Sequence, residues 1–367
     1  MNKLKFIDLF AGIGGFRIAF EAADCECVFT SEINKFAMHT YTKNYMNETV
    51  HWRDFDKIKV HPELFGDIRQ VDFNNDIPDF DILAAGFPCP TFSRAGISKR
   101  NSLGLKSGIE DKEKGQLFFE IVNILEVKKP RAFLLENVKN LLTHKSKETY
   151  ALMKQHLDEN LGYNVTEDIF DAALQVPQHR ERVFIAGFRK DLDINFDIKN
   201  IVIKNKKPKL MDILMDNRVV RNRYGDSFTL TDNLWQYLQE YKQKHRQKGN
   251  GFGYSLANKS GVSRTMSARY YKDGSEILIK QDDIGENPRM LTVEEAAKLF
   301  GFPEEFKKVY NKEFEIPVSK RQAYEQLGNS LCVPIARIIA GEMVRALKGE
   351  NYINYSEVNH NLSSVNA

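Results

Sequence analysis

The chain has 367 residues, of which 42% are hydrophobic and 28% are charged, and its formal net charge at pH 7 is +3. This composition is typical of a globular protein with about two domains, and it excludes a largely disordered chain. No apolar run approaches the roughly 18 residues that a membrane-spanning helix needs, so we expect no membrane partner. The net charge is too small to indicate a nucleic-acid partner by itself.

Short apolar runs alternate with helical patterns from Lys5 to about Phe188. This alternation predicts an α/β fold with a doubly wound, mostly parallel sheet that is covered by helices. The predicted strands are Lys5–Phe10, Cys27–Thr30, Phe80–Ala84, Ala132–Leu135, Tyr163–Phe170 and Arg182–Gly187. The predicted helices are Phe16–Ala23, Phe36–Tyr45, Gln116–Val127 and Lys147–Leu161.

The pattern changes twice along the chain. Residues 91–115 are rich in polar residues and glycine, which favours a lid over a disordered insertion because the segment follows Cys89. Residues 191–317 show little apolar periodicity before Leu291, and a helical pattern returns over Gln322–Leu347. We therefore expect a second, smaller and irregular region after the α/β region.

The cysteines, at positions 25, 27, 89 and 332, form neither a CxxC pair nor a disulfide framework. This usage indicates a reducing cytoplasm. Cys25 and Cys27 lie in an apolar stretch without a nearby histidine pair, so we predict that both are buried and that the chain has no metal site. Cys332 is predicted to be structural as well.

Two reactive side chains each follow an apolar stretch. Cys89 comes shortly after Phe80–Ala84, and Glu136 comes directly after Ala132–Leu135. Because the carboxyl ends of parallel strands open onto one crevice, the thiol and the carboxyl group can meet over one substrate. Taken singly, such a cysteine is more often a buried hydrophobe and such a glutamate a helix N-terminal charge. The prolines on both sides of Cys89, however, stop it from continuing a strand or helix.

A glycine-rich turn with Gly12 and Gly14 follows the first predicted strand, and Glu32 ends the next strand 24 residues after Asp8. This spacing suits a ligand whose ribose hydroxyls bind an acid, and it would also suit NAD. The turn on its own is equally consistent with simple packing.

Eight motifs in this order resemble those of the cytosine-5 DNA methyltransferase family, over nearly the whole chain. The resemblance is strongest to the bacterial Dcm-type group, which methylates the inner cytosine of CC(A/T)GG or related CCNGG sites. The motifs are Phe10-Ala11-Gly12-Ile13-Gly14-Gly15-Phe16, Ser31-Glu32, Gly66-Asp67-Ile68, Phe87-Pro88-Cys89, Glu136-Asn137-Val138, Gln178-His179-Arg180-Glu181-Arg182, Arg289-Met290-Leu291-Thr292 and Gly328-Asn329-Ser330.

The resemblance implies S-adenosylmethionine as the cofactor. Phe10 would stack on its adenine, Glu32 would bind its ribose, and Asp67 would contact its adenine amino group. The methionine end and the pocket wall would be lined by Gly12, Gly14, Leu117 and Asn329. The family often has an aromatic residue after the ribose-binding acid, whereas this chain has Ile33.

The resemblance also implies a catalytic set. Cys89 would add to carbon 6 of cytosine, and Glu136 would supply a proton or a short hydrogen bond at N3. Arg182 would bridge Glu136 and the carbonyl oxygen of the base, with Arg180 as a second cation. A dry pocket raises a carboxyl pKa whereas neighbouring cations lower it, so the sequence leaves the balance at Glu136 open.

Residues 241–272 contain eight lysines or arginines and no acid, with glycine and aromatic residues between them. Such a run alone is more often a solvated face, but arginines beside glycines also suit reading of a DNA groove. By resemblance, Arg264, Thr265 and Arg269 belong to a target-recognition region, and Ser93 is a further predicted DNA contact. Pro90 stands where many bacterial members have a glutamine that helps to fill the gap left by the base.

We therefore expect a catalytic and cofactor-binding domain formed by residues 1–190 and 318–350, a target-recognition domain with its hinge in residues 191–317, and a tail in residues 351–367. The expected partner is double-stranded DNA, bound by a monomer in the bacterial cytoplasm in association with the nucleoid. A cognate restriction endonuclease would act separately.

Two other functions stay open at this point. A cytosine-5 tRNA methyltransferase would share the chemistry, although the long basic recognition region favours duplex DNA. A dinucleotide-dependent oxidoreductase would explain Asp8 and Glu32 but not Cys89 or Glu136.

Overall fold

The structure is a computed structural model that describes residues 3–46, 50–87, 116–143 and 146–350. Cys89, Pro90, Ser93 and the segment predicted to be a lid lie outside the described residues, as does the predicted tail. The predictions for these residues therefore rest on the sequence.

An eight-stranded sheet forms the centre of the fold, in the order β3-β4-β2-β1-β5-β6-β8-β7. Strands β4, β2, β1, β5 and β6 are parallel, whereas β8 runs antiparallel between β6 and β7, and β3 is antiparallel to β4. The strands are β1 Lys5–Leu9, β2 Glu26–Ser31, β3 Lys59–His61, β4 Leu64–Phe65, β5 Ile82–Gly86, β6 Ala132–Val138, β7 Tyr163–Asp171 and β8 Glu181–Arg189. The predicted α/β class is confirmed, and all six predicted strands are present with ends shifted by at most three residues.

The helices begin and end close to the predicted positions in the first half of the chain, except that the helix predicted over Lys147–Leu161 ends at Gln155 and continues as a π-helical turn, His156–Asn160. They are α1 Gly15–Glu21, α2 Lys35–Tyr45, α3 Gln116–Lys128, α4 Ser146–Gln155, α5 Asn217–Tyr224, α6 Asp232–Gln247, α7 Val293–Lys298, α8 Phe302–Tyr310, α9 Lys320–Asn329 and α10 Val333–Leu347. A short antiparallel pair, β9 Ile279–Gln281 and β10 Glu286–Arg289, lies in the second region.

Alternate residues of the strands enter two hydrophobic clusters, one on each face of the sheet. In β1, Phe6 belongs to the cluster that includes α1 and α10, whereas Ile7 and Leu9 belong to the cluster that includes α3. Burial on both faces explains why these strands are continuous apolar runs. Because α10 packs against α1, the end of the described chain covers the same face as its beginning.

The second region contains more helix than the sequence indicated. The prediction that residues 191–317 are irregular was wrong for α6, which begins after the Thr231 side chain accepts a hydrogen bond from the backbone N–H of Leu234. Leu238 is the buried residue of this helix. Leu234 and Trp235 are only partly buried beside it, so the apolar stripe of this helix is short.

A buried ion pair ties this region together. Arg289 at the end of β10 donates to both carboxylate oxygens of Glu295 in α7, and neither side chain is exposed to solvent. The Thr292 hydroxyl caps the same helix by accepting from the backbone N–H of Glu295. In the described part of the chain, no helix has the length and apolar character needed to cross a membrane.

Candidate active site

A cavity of about 740 Å³ lies at the carboxyl ends of the parallel strands. Its wall includes Phe10 after β1, Glu32 after β2, Gly86 at the end of β5 and Glu136 in β6. Strands β2 and β6 are three neighbours apart, which corresponds to about 14 Å at the usual strand spacing. The volume of the cavity is within the range of small-molecule sites, and the strand spacing places Glu32 and Glu136 at two different ends of it.

Glu32 holds the glycine-rich turn. Its carboxylate accepts hydrogen bonds of 2.7 Å from the backbone N–H groups of Gly12 and Asn34. Burial raises the pKa of Glu32, and these backbone donors oppose that shift. The turn itself requires a positive φ of 57° at Gly12, and it brings the backbone to the cavity wall without a side chain.

Gly14 has a different position from the other predicted cofactor residues, because it does not line the cavity. It precedes α1 with a φ of 83°, and a Cβ atom at this position would lie 2.4 Å from the Tyr45 ring. The contact with Tyr45 at the base of the turn therefore explains why a glycine is needed at position 14.

The remaining predicted cofactor residues line the cavity from three directions. Asp67 lies near Glu32 and is paired with Arg69, whose Nη2 is 2.6 Å from Asp67 Oδ2. This pairing lowers the pKa of Asp67 and keeps the carboxylate charged. Leu117 comes from the first turn of α3, and Asn329 is the last residue of α9.

Glu136 is a buried carboxyl group at the other end of the cavity. It is 9% exposed, and its Oε1 lies 3.1 Å from Arg182 Nε. Burial raises the pKa of Glu136, while Arg182 and then Arg180 act in the opposite direction. The shift is upward overall, so the desolvation effect that the sequence could not weigh exceeds that of the cations.

Arg180 has a bonding pattern that the sequence did not reveal. Its guanidinium donates to the backbone carbonyl groups of Met266, Gly328 and Ser330, at 3.2, 2.8 and 2.6 Å. Burial and the neighbouring Arg182 lower the pKa of Arg180 to about 9, which leaves it charged at neutral pH. Arg180 lines the cavity, but these donors join the start of β8 to α9 and to the second region.

Asn137 is a site residue to which we assigned no role from the sequence. Its Nδ2 donates a 2.9 Å hydrogen bond to the carbonyl oxygen of Phe87, and its Oδ1 accepts from the backbone N–H of Val138. Phe87 is the last described residue before Pro88 and Cys89. Asn137 therefore fixes the end of β5 beside Glu136, and its place directly after Glu136 was the signal available in the sequence.

The predicted DNA-contacting segment is seated against the start of β8. The side-chain oxygen of Gln178 accepts from the backbone N–H of Met266, and the Thr265 hydroxyl donates to the carbonyl oxygen of His179. Arg264 and Arg269 are exposed, and neither forms an ion pair with another residue of the described ranges. Two free guanidinium groups thus lie on a segment that is fixed to the residues next to Arg180.

Comparisons with known proteins give the family. The model of the C-5 cytosine-specific DNA methylase family matches residues 4–345. The chain belongs to this family. It is 46% identical over 348 residues to the Type II methyltransferase M.NlaX of Neisseria lactamica, covering 94% of this chain and 97% of that protein. It is 39% identical to the DNA-cytosine methyltransferase of Escherichia coli K12, covering 97% and 80% of the two chains.

Solved structures agree with this cytosine methylase fold. The crystal structure of S. pombe Dnmt2 methyltransferase superposes with a TM-score of 0.66 and 17% sequence identity, covering 96% of this chain and 100% of that one. At this identity the likeness bears on the fold alone.

S-adenosylmethionine is the methyl donor of this cytosine methylase, and the cavity fits it. Its volume suits a ligand of that size. The glycine turn allows close approach, and Glu32 presents a carboxylate at the end of β2, where a ribose needs an acceptor. Among the residues that the structure describes, no group of histidine, cysteine and acidic side chains could hold a metal ion.

Proposed function

We propose that this cytosine methylase acts on duplex DNA at the inner cytosine of CC(A/T)GG or CCNGG sites. The observation that carries the chemistry is the buried Glu136–Arg182 pair, which shares one cavity with the glycine turn and Glu32. The proposed target sequence rests on the resemblance to the Dcm-type group and on the exposed Arg264 and Arg269. One end of the cavity can thus hold a nucleoside cofactor while the other presents an acid and a cation to a base.

The chemistry begins with Cys89, whose role rests on the resemblance. Carbon 5 of cytosine is too electron-poor to attack a methyl donor directly. A Cys89 thiolate that bonds to carbon 6 pushes an electron pair toward carbon 5 and N3, which makes carbon 5 nucleophilic. Bound S-adenosylmethionine supplies the electrophilic methyl group. The sulfonium leaves as a neutral thioether when carbon 5 takes the methyl group. The carbon 5 proton then passes to solvent, the N3 proton returns to Glu136, and departure of the thiolate restores the ring.

Glu136 acts on the charge that develops at N3. Because burial raises the pKa of Glu136, a larger fraction of it is protonated at neutral pH than of an ordinary carboxyl group. Its proton goes to N3 as the sulfur–carbon bond forms. Arg182, whose Nε is 3.1 Å from Glu136, keeps the carboxyl group oriented and presents a cation to the carbonyl oxygen of the base.

Access to carbon 6 requires that the cytosine leaves the duplex, because the thiolate attacks the face of the ring. Glu136, 9% exposed, is too recessed for a stacked base to reach. We therefore include base flipping in the proposed mechanism, with the target base inserted between Glu136 and the cofactor.

Target recognition is assigned to the segment that Gln178 and Arg180 hold in place. Exposed Arg264 and Arg269 suit bidentate contacts to guanine. By resemblance, Thr265 contacts a phosphate near the flipped nucleotide, for which its hydroxyl must turn away from the carbonyl oxygen of His179. Ser93, outside the described residues, is a further proposed DNA contact. The proposed domains are residues 1–190 with 318–350 for catalysis and 191–317 for recognition.

The relatives extend the proposal to the biological setting. Several carry the name Type II methyltransferase, which supports a restriction–modification role with a separately acting endonuclease. We propose that the protein works as a monomer on DNA in the bacterial cytoplasm.

Bisulfite sequencing of DNA from cells that express the protein tests the proposal. We expect protected cytosines at the second position of CC(A/T)GG or CCNGG sites. Protection outside any CCNGG context would contradict the proposed target. Methylation of purified tRNA and not of plasmid DNA would instead favour the tRNA methyltransferase.

A further inference from the structure

Residues 204–209 form a lysine-rich segment that has no part in the roles assigned above. Residues 198–211 contain no acidic residue, and the lysines at positions 204, 206, 207 and 209 are all exposed. None of these four lysines forms an ion pair with another residue of the described ranges. A lysine run alone is consistent with a solvated surface, so the case for a ligand depends on where the fold places this lysine segment.

The start of the lysine segment is fixed beside the active site. The carbonyl oxygen of Lys204 accepts a 2.7 Å hydrogen bond from Gln175 Nε2, and the backbone N–H of Lys206 donates to the carbonyl oxygen of Leu174 at 2.9 Å. Both partners belong to the connection between β7 and β8, and β8 begins opposite the end of β6. The lysine segment therefore lies at the edge of the sheet where the cavity opens.

The end of the lysine segment is joined to the proposed recognition segment. The backbone N–H groups of Leu210 and Met211 donate to the carbonyl oxygens of Gly261 and Lys259, both at 2.8 Å. Lys259 is exposed, and the chain runs from it to the exposed Arg264. The lysines are thus neighbours of a residue to which we assign base reading.

The separation between the lysines and the recognition segment is small on the scale of a duplex. The backbone N–H of Ser263 donates to the carbonyl oxygen of Pro177 at 2.9 Å, and Pro177 is three residues after Leu174. The two points of attachment are therefore at most about 11 Å apart. A duplex advances about 3.4 Å per base pair, so this distance corresponds to about three base pairs.

The charge of this surface suits a polyanion. Its exposed cations are Lys204, Lys206, Lys207, Lys209, Lys259 and Arg264. Two acids lie beside them: Asp212, whose carboxylate accepts from the backbone N–H of Lys209, and Asp283, which interacts electrostatically with Lys259. Cations remain in excess. Lysine ammonium groups are flexible point charges, which bind phosphates without reading the bases.

We propose that the lysine segment binds DNA phosphates that flank the base pairs read by Arg264 and Arg269. The inference rests on the proposed function, since it takes the duplex to lie over the cavity. The lysine segment anchors every duplex alike, while the arginines provide the choice of sequence.

A triple variant, Lys204→Gln with Lys206→Gln and Lys207→Gln, tests the proposal. Fluorescence anisotropy measures its affinity for a target duplex and a scrambled duplex over a range of salt concentrations. Each lost phosphate contact makes the slope of log affinity against log salt shallower by about 0.9, so we expect a change of about 2–3. Both duplexes should bind more weakly, and the ratio of the two affinities should change less than about 2-fold.

The matched control is Lys5→Gln with Lys129→Gln and Lys348→Gln, which removes the same charge. Lys5 begins β1 and Lys129 lies just before β6, so both are at the opposite edge of the sheet from the cavity. Lys348 is near the same edge, because the carbonyl oxygen of the preceding Leu347 accepts from Arg131. The salt slope of this control should match that of the wild type.

Duplexes with single uncharged methylphosphonate linkages locate the contacts. Neutralising a flanking phosphate that the lysine segment binds should weaken wild-type binding, and the triple variant should be insensitive to the same replacement. An unchanged salt slope in the triple variant, an equal change in the control, a loss confined to the target duplex, or a triple variant that stays sensitive at every flanking linkage would overturn the proposal. A wild-type protein that binds tRNA in preference to either duplex would instead contradict the proposed function on which the inference rests.

Discussion

Replacement of Glu136 by glutamine isolates the proton that the proposed mechanism needs. The side chain keeps its shape and its acceptor oxygen, but it loses the acidic proton and the charge that pairs with Arg182. Positioned proton transfer contributes about 10²- to 10⁴-fold to enzyme rates, so we expect single-turnover methyl transfer to slow by about 100-fold or more. Cofactor affinity should stay nearly constant, because Glu136 lies at the opposite end of the cavity from Glu32.

The same change has a calculable cost in stability. The Glu136 and Arg182 side chains are 12% and 17% exposed, and their Oε1 and Nε atoms are 3.1 Å apart. The glutamine oxygen can still accept a hydrogen bond from Arg182. We therefore expect the free energy of unfolding to fall by about 1–3 kcal/mol, the value of one weakened buried hydrogen bond. Urea unfolding of the free protein measures it.

The proposed mechanism also predicts the direction in which the transfer rate changes with pH. Because burial raises the pKa of Glu136, its proton is available below that raised pKa and is lost as the pH rises through it. The contribution of Glu136 to the rate should therefore fall on the alkaline side in the wild type, and this fall should be absent from Glu136→Gln. Rapid-quench measurements with labelled S-adenosylmethionine and target duplex follow the rate from mildly acidic to alkaline pH.

Glu305→Gln is the matched control. Glu305 is 2% exposed and paired with Arg337 at 2.7 Å, and it does not line the cavity. We expect a comparable loss of stability with little change in methyl transfer. A Glu136→Gln protein that transfers methyl groups within tenfold of the wild type, or that loses cofactor affinity as much as rate, would refute the assigned role.

Three further predictions follow from the other contacts. Asn137→Ala should lower the transfer rate about 10-fold with unchanged cofactor affinity, because the buried Phe87 carbonyl group loses a hydrogen bond of about 1–3 kcal/mol; an unchanged rate in the rapid-quench assay would contradict this. Arg269→Ala should cost about 1–3 kcal/mol of DNA-binding free energy and relax the choice of one base pair. Lys272→Ala, at another exposed residue of the basic run 241–272, should weaken the binding of all duplexes alike and reduce its salt dependence, as measured by fluorescence anisotropy. Identical behaviour of the two variants would argue against base reading by Arg269. A 2-aminopurine at the target position should brighten on binding as it leaves the stack, and full binding without a fluorescence change would count against base flipping.

The α/β core and the positions of Glu32 and Glu136 could be predicted because each depends on local signals. The strands are apolar runs with turn residues after them, and both acids follow such runs directly. The short strands β3 and β4 offered too few residues for a pattern, and α6 buries only Leu238 among its described residues. Sequence periodicity detects buried faces, so these elements left little trace in it.

Contacts between distant residues could not be predicted in the same way. The carbonyl groups that Arg180 binds are 86 to 150 residues away along the chain. The direction of the Glu136 pKa shift depends on burial, which no motif specifies. Gly14 illustrates a related case: its predicted cofactor contact stays a prediction, and the structure adds a reason for glycine that the motif did not give, because the Tyr45 ring leaves no room for a Cβ atom.

Covalent trapping tests the central claim most directly. DNA with 5-fluorocytosine at the target position cannot lose its carbon 5 substituent, so the wild-type protein with S-adenosylmethionine should form an adduct that survives denaturant. Mass spectrometry of the digested adduct should locate the bond at Cys89, and Cys89→Ala should form none. An adduct that persists in Cys89→Ala, or methyl transfer by that variant, would contradict the account.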